Sequence, residues 1–484
     1  MQQAHTVQNR SLQKSVQKGA LWLLSRMQKR VPYNPSNHFL EGPFAPLRDE
    51  HSSDALSVTG KIPAELNGLL TRIGPNPLHV SNPATYHWFL GDGMVHGLRI
   101  KDGQALWYRN RYVGSDSVNK HFGRAPAAGP RRGVSDVVNT NIIGHGGSLW
   151  ALVEAGSYPV ELDAELNTVK HGLFDSTVQN GFTAHPHTDP DSGELHAICY
   201  DGFVHNKVRY LVIDKNRLVR RNVAIPVKHG PMMHDCAITE KNVLLLDLPV
   251  TFSVSTALKG AGLPYAWNPS HQARVGRLPR EGEAEDIRWF DLAEPCFAFH
   301  TCNAFEKENG DTVLDVVVHE RMFDKSLQGP ESQQVTFERW TLEEKTGRVQ
   351  RTVISRETQE FPRLDERRIG KPYRYAYTVG IDIDNPAPNA LLCHDLHTGE
   401  TTAHVYGDGW MSGEVVFVPK HAHAAENEGW LVSYVHRLDG GNSRVVILDA
   451  QNIEAEPVAV IDLPVRVPLG FHGNWISASA TSAS

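Results

Sequence analysis

Beyond Pro32 the apolar residues fall in short runs. Some alternate with polar residues and some are continuous, the two patterns of strands buried on one face or on both. The runs Val208–Val212, Val243–Leu248, Val313–Val318, Val335–Leu342, Ala390–Asp395, Glu414–Val418, Trp430–Val435 and Val445–Leu448 predict strands. Turn sequences separate them, such as Asp189–Glu194, Glu344–Gly347 and His397–Glu400, in which glycine supplies a positive φ and Asp, Ser or Thr bonds back to the backbone. Many short strands joined by such turns predict a closed all-β fold. No repeat is strict enough to count propeller blades, so propeller, sandwich and barrel all fit the pattern. No linker divides the chain, and the expected organisation is an N-terminal segment, 1–38, followed by one domain, 39–484.

The first residues behave differently. Leu12, Val16, Ala20, Leu23, Leu24, Met27 and Val31 recur at helical spacing. No acid precedes Glu41, while Arg10, Lys14, Lys18, Arg26, Lys29 and Arg30 are basic. An amphipathic helix of this charge lies well in a membrane interface, and peripheral membrane contact is expected from it. A helix packed on the body of the protein, or an organellar transit peptide, has the same pattern.

The chain has 484 residues, 40% hydrophobic and 21% charged, enough apolar content for a large core. Its net charge of −7 and the lack of a basic stripe exclude a nucleic-acid footprint. No apolar stretch reaches membrane-spanning length. Five scattered cysteines with no C-x-x-C pair predict reduced thiols and a cytoplasmic setting.

With 25 histidines the composition turns attention to metal chemistry. His185 lies in the segment Gly181–Pro190, His234 in Pro231–Cys236, His300 in Pro295–Glu306 and His472 in Arg466–Trp475. Each has small or apolar neighbours near a predicted strand end. Their separation rules out a local zinc motif; they meet only if the fold brings strands to one axis. A lone histidine in such a setting is more often a core residue, and His145, His187 and His319 compete on equal terms. Three glutamates in strand-like apolar settings, Glu154, Glu360 and Glu414, alter the balance. Buried carboxylates need partners, and metal-bound imidazoles usually donate their second N–H to one. Pairing with arginines such as Arg363 is the alternative.

At these residues the sequence resembles the carotenoid cleavage oxygenases from about Phe39 to Trp475. The likeness includes Gly60–Gly68, Arg72–Pro77, His87–Gly97, Asn139-Thr140 and all four histidine segments in order. The resemblance implies a seven-bladed β-propeller with one Fe(II) per subunit held by His185, His234, His300 and His472. It makes Glu154, Glu360 and Glu414 the acceptors behind those imidazoles, places Thr140 beside an open coordination position, and puts Phe89 and Phe299 in a substrate tunnel. Phe305 is a further tunnel candidate, with Phe471 and Trp475 behind it. Leu263–Pro269, Arg280 and Glu285–Phe290 fit the branch that cleaves carotenoids and apocarotenoids.

The activity implied is a dioxygenase that uses O2 to split a carbon–carbon double bond of a hydrophobic polyene into two carbonyl products. A lignostilbene- or phenylpropenoid-cleaving dioxygenase on the same scaffold is the alternative. Val137 occupies the place where that branch carries a phenolate-binding lysine, which argues for an apolar polyene, although Tyr108 and Tyr112 remain candidates to meet a phenol. A non-catalytic carotenoid-binding propeller is the alternative from another class; all four histidines being present argues against it. A retinoid isomerase is more remote.

Overall fold

The computed structural model describes residues 26–132, 135–175, 177, 180–326, 328–331, 334–380 and 389–478. Strands dominate, with short helices at Asp116–His121 and Val254–Ala257. The predicted strands are all present, one unchanged, one shifted by a residue and the others longer by up to four residues at an end: Val204–Ile213, Asn242–Asp247, Thr312–His319, Val335–Glu343, Ala390–Asp395, Trp410–Pro419, Gly429–Arg437 and Arg444–Asp449. The basic helix expected over the N-terminal residues lies almost wholly outside the described residues, which begin with a helical turn at Arg26. Among the described residues no helix is long and apolar enough to cross a membrane.

The strands form a propeller-like arrangement of antiparallel sheets. Four-stranded meanders run through Asn141–His171, His187–Pro226 and Gln359–Val405, and an eight-stranded sheet spans Cys236–Ser355. Two five-stranded sheets close the ring. In one, Ser57–Gly60 pairs with Ala459–Asp462, adding an early strand to the last meander. In the other, Trp475–Ser477 pairs with Gly68–Pro75, adding the final strand to the first meander. A small ribbon, Val250–Phe252 with Tyr265–Trp267, joins the chain at an isolated bridge between Thr251 and Pro231.

Burial follows the alternation read from the sequence. Val313–Val318 and Val415–Val418 are buried throughout, because both faces of their sheets are covered. The largest apolar cluster joins Tyr210, Leu244, Phe290, Phe297, Phe299 and Trp340. All five cysteines are free and buried.

The edge strands matter most for the site. His187–Thr188, Cys236–Ile238, Thr301–Glu306, Gln359–Arg363, Trp410–Pro419 and Trp475–Ser477 each lie at one edge of a sheet, and each is next to the one before it around a common axis. Sheets arranged radially present these edges to the centre.

Candidate metal centre

Every ligand expected from the sequence sits at an axial edge. His185 stands two residues before His187–Thr188, His234 two before Cys236–Ile238, His300 one before Thr301–Glu306, and His472 three before Trp475–Ser477. Their rings converge. The centroid of His185 is 4.4 Å from that of His234, 5.1 Å from His300 and 4.5 Å from His472. His300 is 4.7 Å from His472 and 5.2 Å from His234. The ligating atoms of His185, His300 and His472 all lie within 4.8 Å of one another, so these three form the tightest set and His234 joins it through its ring neighbours.

The glutamates occupy the expected places. His234 Nδ1 is 2.8 Å from Glu154, His300 Nδ1 is 2.6 Å from Glu360, and His472 Nδ1 is 2.8 Å from Glu414. Ionised carboxylates only accept, so each fixes its imidazole with the proton on Nδ1 and the lone pair on Nε2. Burial pushes the Glu414 carboxyl up, but His472, Arg363 and the Gly473 N–H outweigh it and hold the group at about 2. Burial opposes ionisation of Glu360 too, and His300 and His319 overcome it. His185 has no carboxylate partner; burial and the surrounding imidazoles push it far below its ordinary range, which keeps it neutral.

These groups fit a metal ion. Nε2 of His185 and Nε2 of His300 are buried with no hydrogen-bond partner. Two orphaned acceptors facing one point, in a cluster of four imidazoles, are costly without a cation to satisfy them. Imidazole donors suit Fe, Zn, Cu and Ni.

Local backbone irregularities set the carboxylates. The register of Gln359–Arg363 shifts between Glu360 and Arg363, and that of Trp410–Pro419 between Ser412 and Val415. Such bulges re-aim side chains. Phe361, at φ +53°, and Ala155, at φ +53°, hold left-handed conformations beside Glu360 and Glu154. Strain of this kind concentrates at functional sites. Phe361 stacks on His300, with centroids 5.3 Å apart.

One side of the imidazoles opens into a cavity of about 470 Å³. Phe89, Phe299, Phe471, Val153, Met232 and Leu263 line it, together with Thr140, His234, His300 and His472. Phe299 packs edge-on to His234 at 5.0 Å and to Phe89 at 6.1 Å. Thr140 donates to Asn139 Oδ1 at 2.9 Å, and its carbonyl accepts from the His472 N–H at 3.1 Å.

Four expectations are corrected. Phe305 does not line the cavity. It lies five residues beyond His300 on an outgoing strand, a displacement of roughly 16 Å at the usual rise, and packs under the Arg339 guanidinium. Trp475 lines a smaller cavity on the other side of the imidazoles, of about 190 Å³. Tyr108 and Tyr112 are core residues, bonded to His96 and to Asn76 and Leu47, and reach no cavity.

The rival histidines serve as supports. His319 donates to the second oxygen of Glu360 at 2.6 Å, and His145 meets the Asp214 carbonyl at 2.8 Å. Glu414 also pairs with Arg363 at 3.2 Å, so imidazole and arginine share it. The sequence reading missed Asp235. Its Oδ1 is 2.9 Å from His187 Nε2, and its Oδ2 accepts from the Thr301 N–H at 2.8 Å and hydroxyl at 2.9 Å. One buried carboxylate thus ties the segments of His185, His234 and His300 together. The only sequence signal was an acid inside the apolar run from Pro231 to Ile238.

The retinal pigment epithelial membrane protein family, RPE65, matches residues 44–477. The carotenoid cleavage oxygenase of Mycobacterium tuberculosis is 41% identical over an alignment covering 91% of this chain and 97% of the relative. Carotenoid 9,10(9′,10′)-cleavage dioxygenase 1 of Arabidopsis thaliana is 34% identical, covering 94% of this chain and 93% of its own. Among solved structures, the lignostilbene dioxygenase of Pseudomonas brassicacearum superposes with a TM-score of 0.82 at 28% identity, over 93% of this chain and 100% of that one. The shared fold, the ordered histidine segments and this extent of identity together mean that the chain belongs to the RPE65 family of carotenoid cleavage oxygenases.

Proposed function

We propose that the protein is a non-haem Fe(II) dioxygenase that cleaves a carbon–carbon double bond of a carotenoid or apocarotenoid into two carbonyl products. The observation that carries this reading is the pair of orphaned Nε2 atoms, on His185 and His300, within a four-imidazole cluster that walls an apolar cavity. The names of the relatives support the substrate class.

His185, His234, His300 and His472 would hold the ion. Ferrous iron there supplies the redox step that lets triplet oxygen react with a closed-shell alkene. The rest is positioning by the protein. Glu154, Glu360 and Glu414 keep three imidazoles in one tautomer and offset the charge of a dication. Phe89, Phe299 and Phe471 exclude water and hold a flat polyene against the imidazoles. Thr140 narrows the space beside His472. No proton transfer is required, so no side chain acts as acid or base. We read the eight-stranded sheet as two blades, Cys236–Asp291 and Thr301–Ser355, whose strands pair with each other only at Asp291–Arg348; the ring then has seven.

A stilbene-cleaving enzyme is the second reading. It is favoured by the lignostilbene dioxygenase likeness and by the phenols of Tyr200 and Tyr265 on the cavity wall. Mass analysis of products after incubation of the Fe(II)-loaded protein with an apocarotenal and a hydroxystilbene separates the two. Label from ¹⁸O₂ in both products is expected, and label in only one overturns the dioxygenase. Binding of either compound without any product would leave a carotenoid-binding protein.

Residues 1–38 form the proposed appendage to the 39–484 domain. Peripheral membrane contact is proposed for it on its charge, and because the backbone at Met27–Gln28 lies against Gly260, near the exposed Val254 and Leu258. Deleting the residues before Tyr33 is expected to reduce co-sedimentation with anionic liposomes; unchanged binding removes the idea.

A further inference from the structure

The apolar cavity has one polar corner that nothing in the protein satisfies. Tyr265 is only 5% exposed, yet its hydroxyl has no hydrogen-bond partner. Oε2 of Glu154 is likewise buried and unpartnered, its other oxygen being taken by His234. Tyr200 completes the corner, its ring 6.0 Å from that of Tyr265 and nearly perpendicular to it. All three residues line the cavity. Burial first, and the Glu154 carboxylate second, raise both phenols above their ordinary range; Tyr200 also lies within weak hydrogen-bonding reach of that carboxylate, where a ligand would compete with it.

Two other polar groups on the same wall are occupied, while His319 Nδ1 and the His300 Nε2 already described are not. Glu331 accepts from the backbone N–H groups of Asp324 and Ser326, at 2.8 and 2.6 Å. Gln359 donates to Ser355 and Glu357 and accepts from Thr378. A buried phenol and a buried carboxylate oxygen left open each carry an uncompensated desolvation cost. That cost is recovered when a ligand supplies their partners.

Their chemistry names the partner. The Tyr265 hydroxyl is free to donate, and Glu154 Oε2 can only accept. A ligand hydroxyl answers both, taking a proton from one and giving its own to the other. A carbonyl oxygen answers Tyr265 alone and leaves the carboxylate open. We propose that Tyr265, with Tyr200 and Glu154, forms a subsite for a hydroxyl group, so that the cavity prefers polyenes carrying an alcohol or phenol over their deoxy counterparts. This rests on the reading of the cavity as a polyene site. It makes Tyr265 a specificity residue supplied by a two-stranded ribbon whose other strand is hydrogen-bonded to the His234 segment, through Val250 and Met232.

Anaerobic titration of the Fe(II)-loaded protein, followed by the absorption shift of the polyene, tests it without turnover. The probes are an apocarotenal with a ring hydroxyl and the same compound without it. The parent protein is expected to bind the hydroxylated compound roughly 3–10-fold more tightly, and Tyr265→Phe to lose that preference. Because the phenol is unpartnered in the free protein, Tyr265→Phe is also expected to melt no lower than the parent; a phenol with a structural role would lower the melting temperature. Equal affinities in the parent, or an unchanged ratio in Tyr265→Phe, overturn the subsite and leave water as its occupant. An intact preference with no product from either compound in air would overturn the proposed reaction instead and leave the subsite standing.

Discussion

Two cavities meet at the imidazoles, and they share His300, His472 and Phe361. The larger is walled by aromatic and aliphatic side chains and receives His234. The smaller is walled by Asn141, His187, Asp235, Thr301, Arg363 and Asn474, and receives His185. On that polar side nearly every group is bonded to another that carries or orients a ligand. Asp235 ties His187 to Thr301, Arg363 ties Glu414 to Asn474, and Asn474 reaches Asn141. On the apolar side the rings touch one another, and the corner of Tyr200, Tyr265 and Glu154 adds polar contact to their shape. The difference teaches a partial division of labour: the smaller side serves the imidazoles, while the larger both orients His234 and His300, through Glu154 and Glu360, and presents the apolar wall proposed to meet the substrate.

The strongest challenge to this division is His234→Ala. It removes an imidazole on the apolar side and strands Glu154, and it is expected to lose bound iron and all cleavage while the far-ultraviolet dichroism stays that of a β protein. Full iron content with normal turnover would end the assignment. Glu360→Gln comes next. Its oxygens serve His300, His319 and the Phe361 N–H, so iron retention or turnover should fall by roughly 10–100-fold. Asp235→Asn probes the polar side alone. It should weaken iron binding by about tenfold, measured by chelator competition, without changing the ratio of products from a mixed substrate pool. A shift in that ratio would show that the two sides are not independent. Phe89→Leu is the mirror experiment, expected to change KM or the cleavage position by up to about tenfold with iron content unaltered.

Much of this was legible in the chain. Val313–Val318 and Ala390–Asp395 announce themselves as strands because continuous β-branched or apolar runs have little else to become. The four histidines and three glutamates that the structure brings together were singled out because polar side chains in apolar strand ends need partners, and because the family likeness implied which ones meet. What was not legible depends on direction. Phe305 reads like Phe299, yet the strand carries it away from the axis while Phe299 stays at the rim. The bulges at Glu360 and Glu414 shift register by a residue, and no local sequence sign marks them. Asp235 was hidden because its partners are remote in sequence, His187 in another sheet and Thr301 at the far edge of the eight-stranded sheet.

The pairing of Trp475–Ser477 with Gly68–Pro75 has a bearing on how the site comes into being. His472 is carried on the approach to that strand, so the fourth imidazole is delivered only when the two remote stretches dock. A growing polypeptide emerging from the ribosome would therefore pass through a long interval with three histidines and no complete cage, and the metal capture proposed above would be a late event in its maturation.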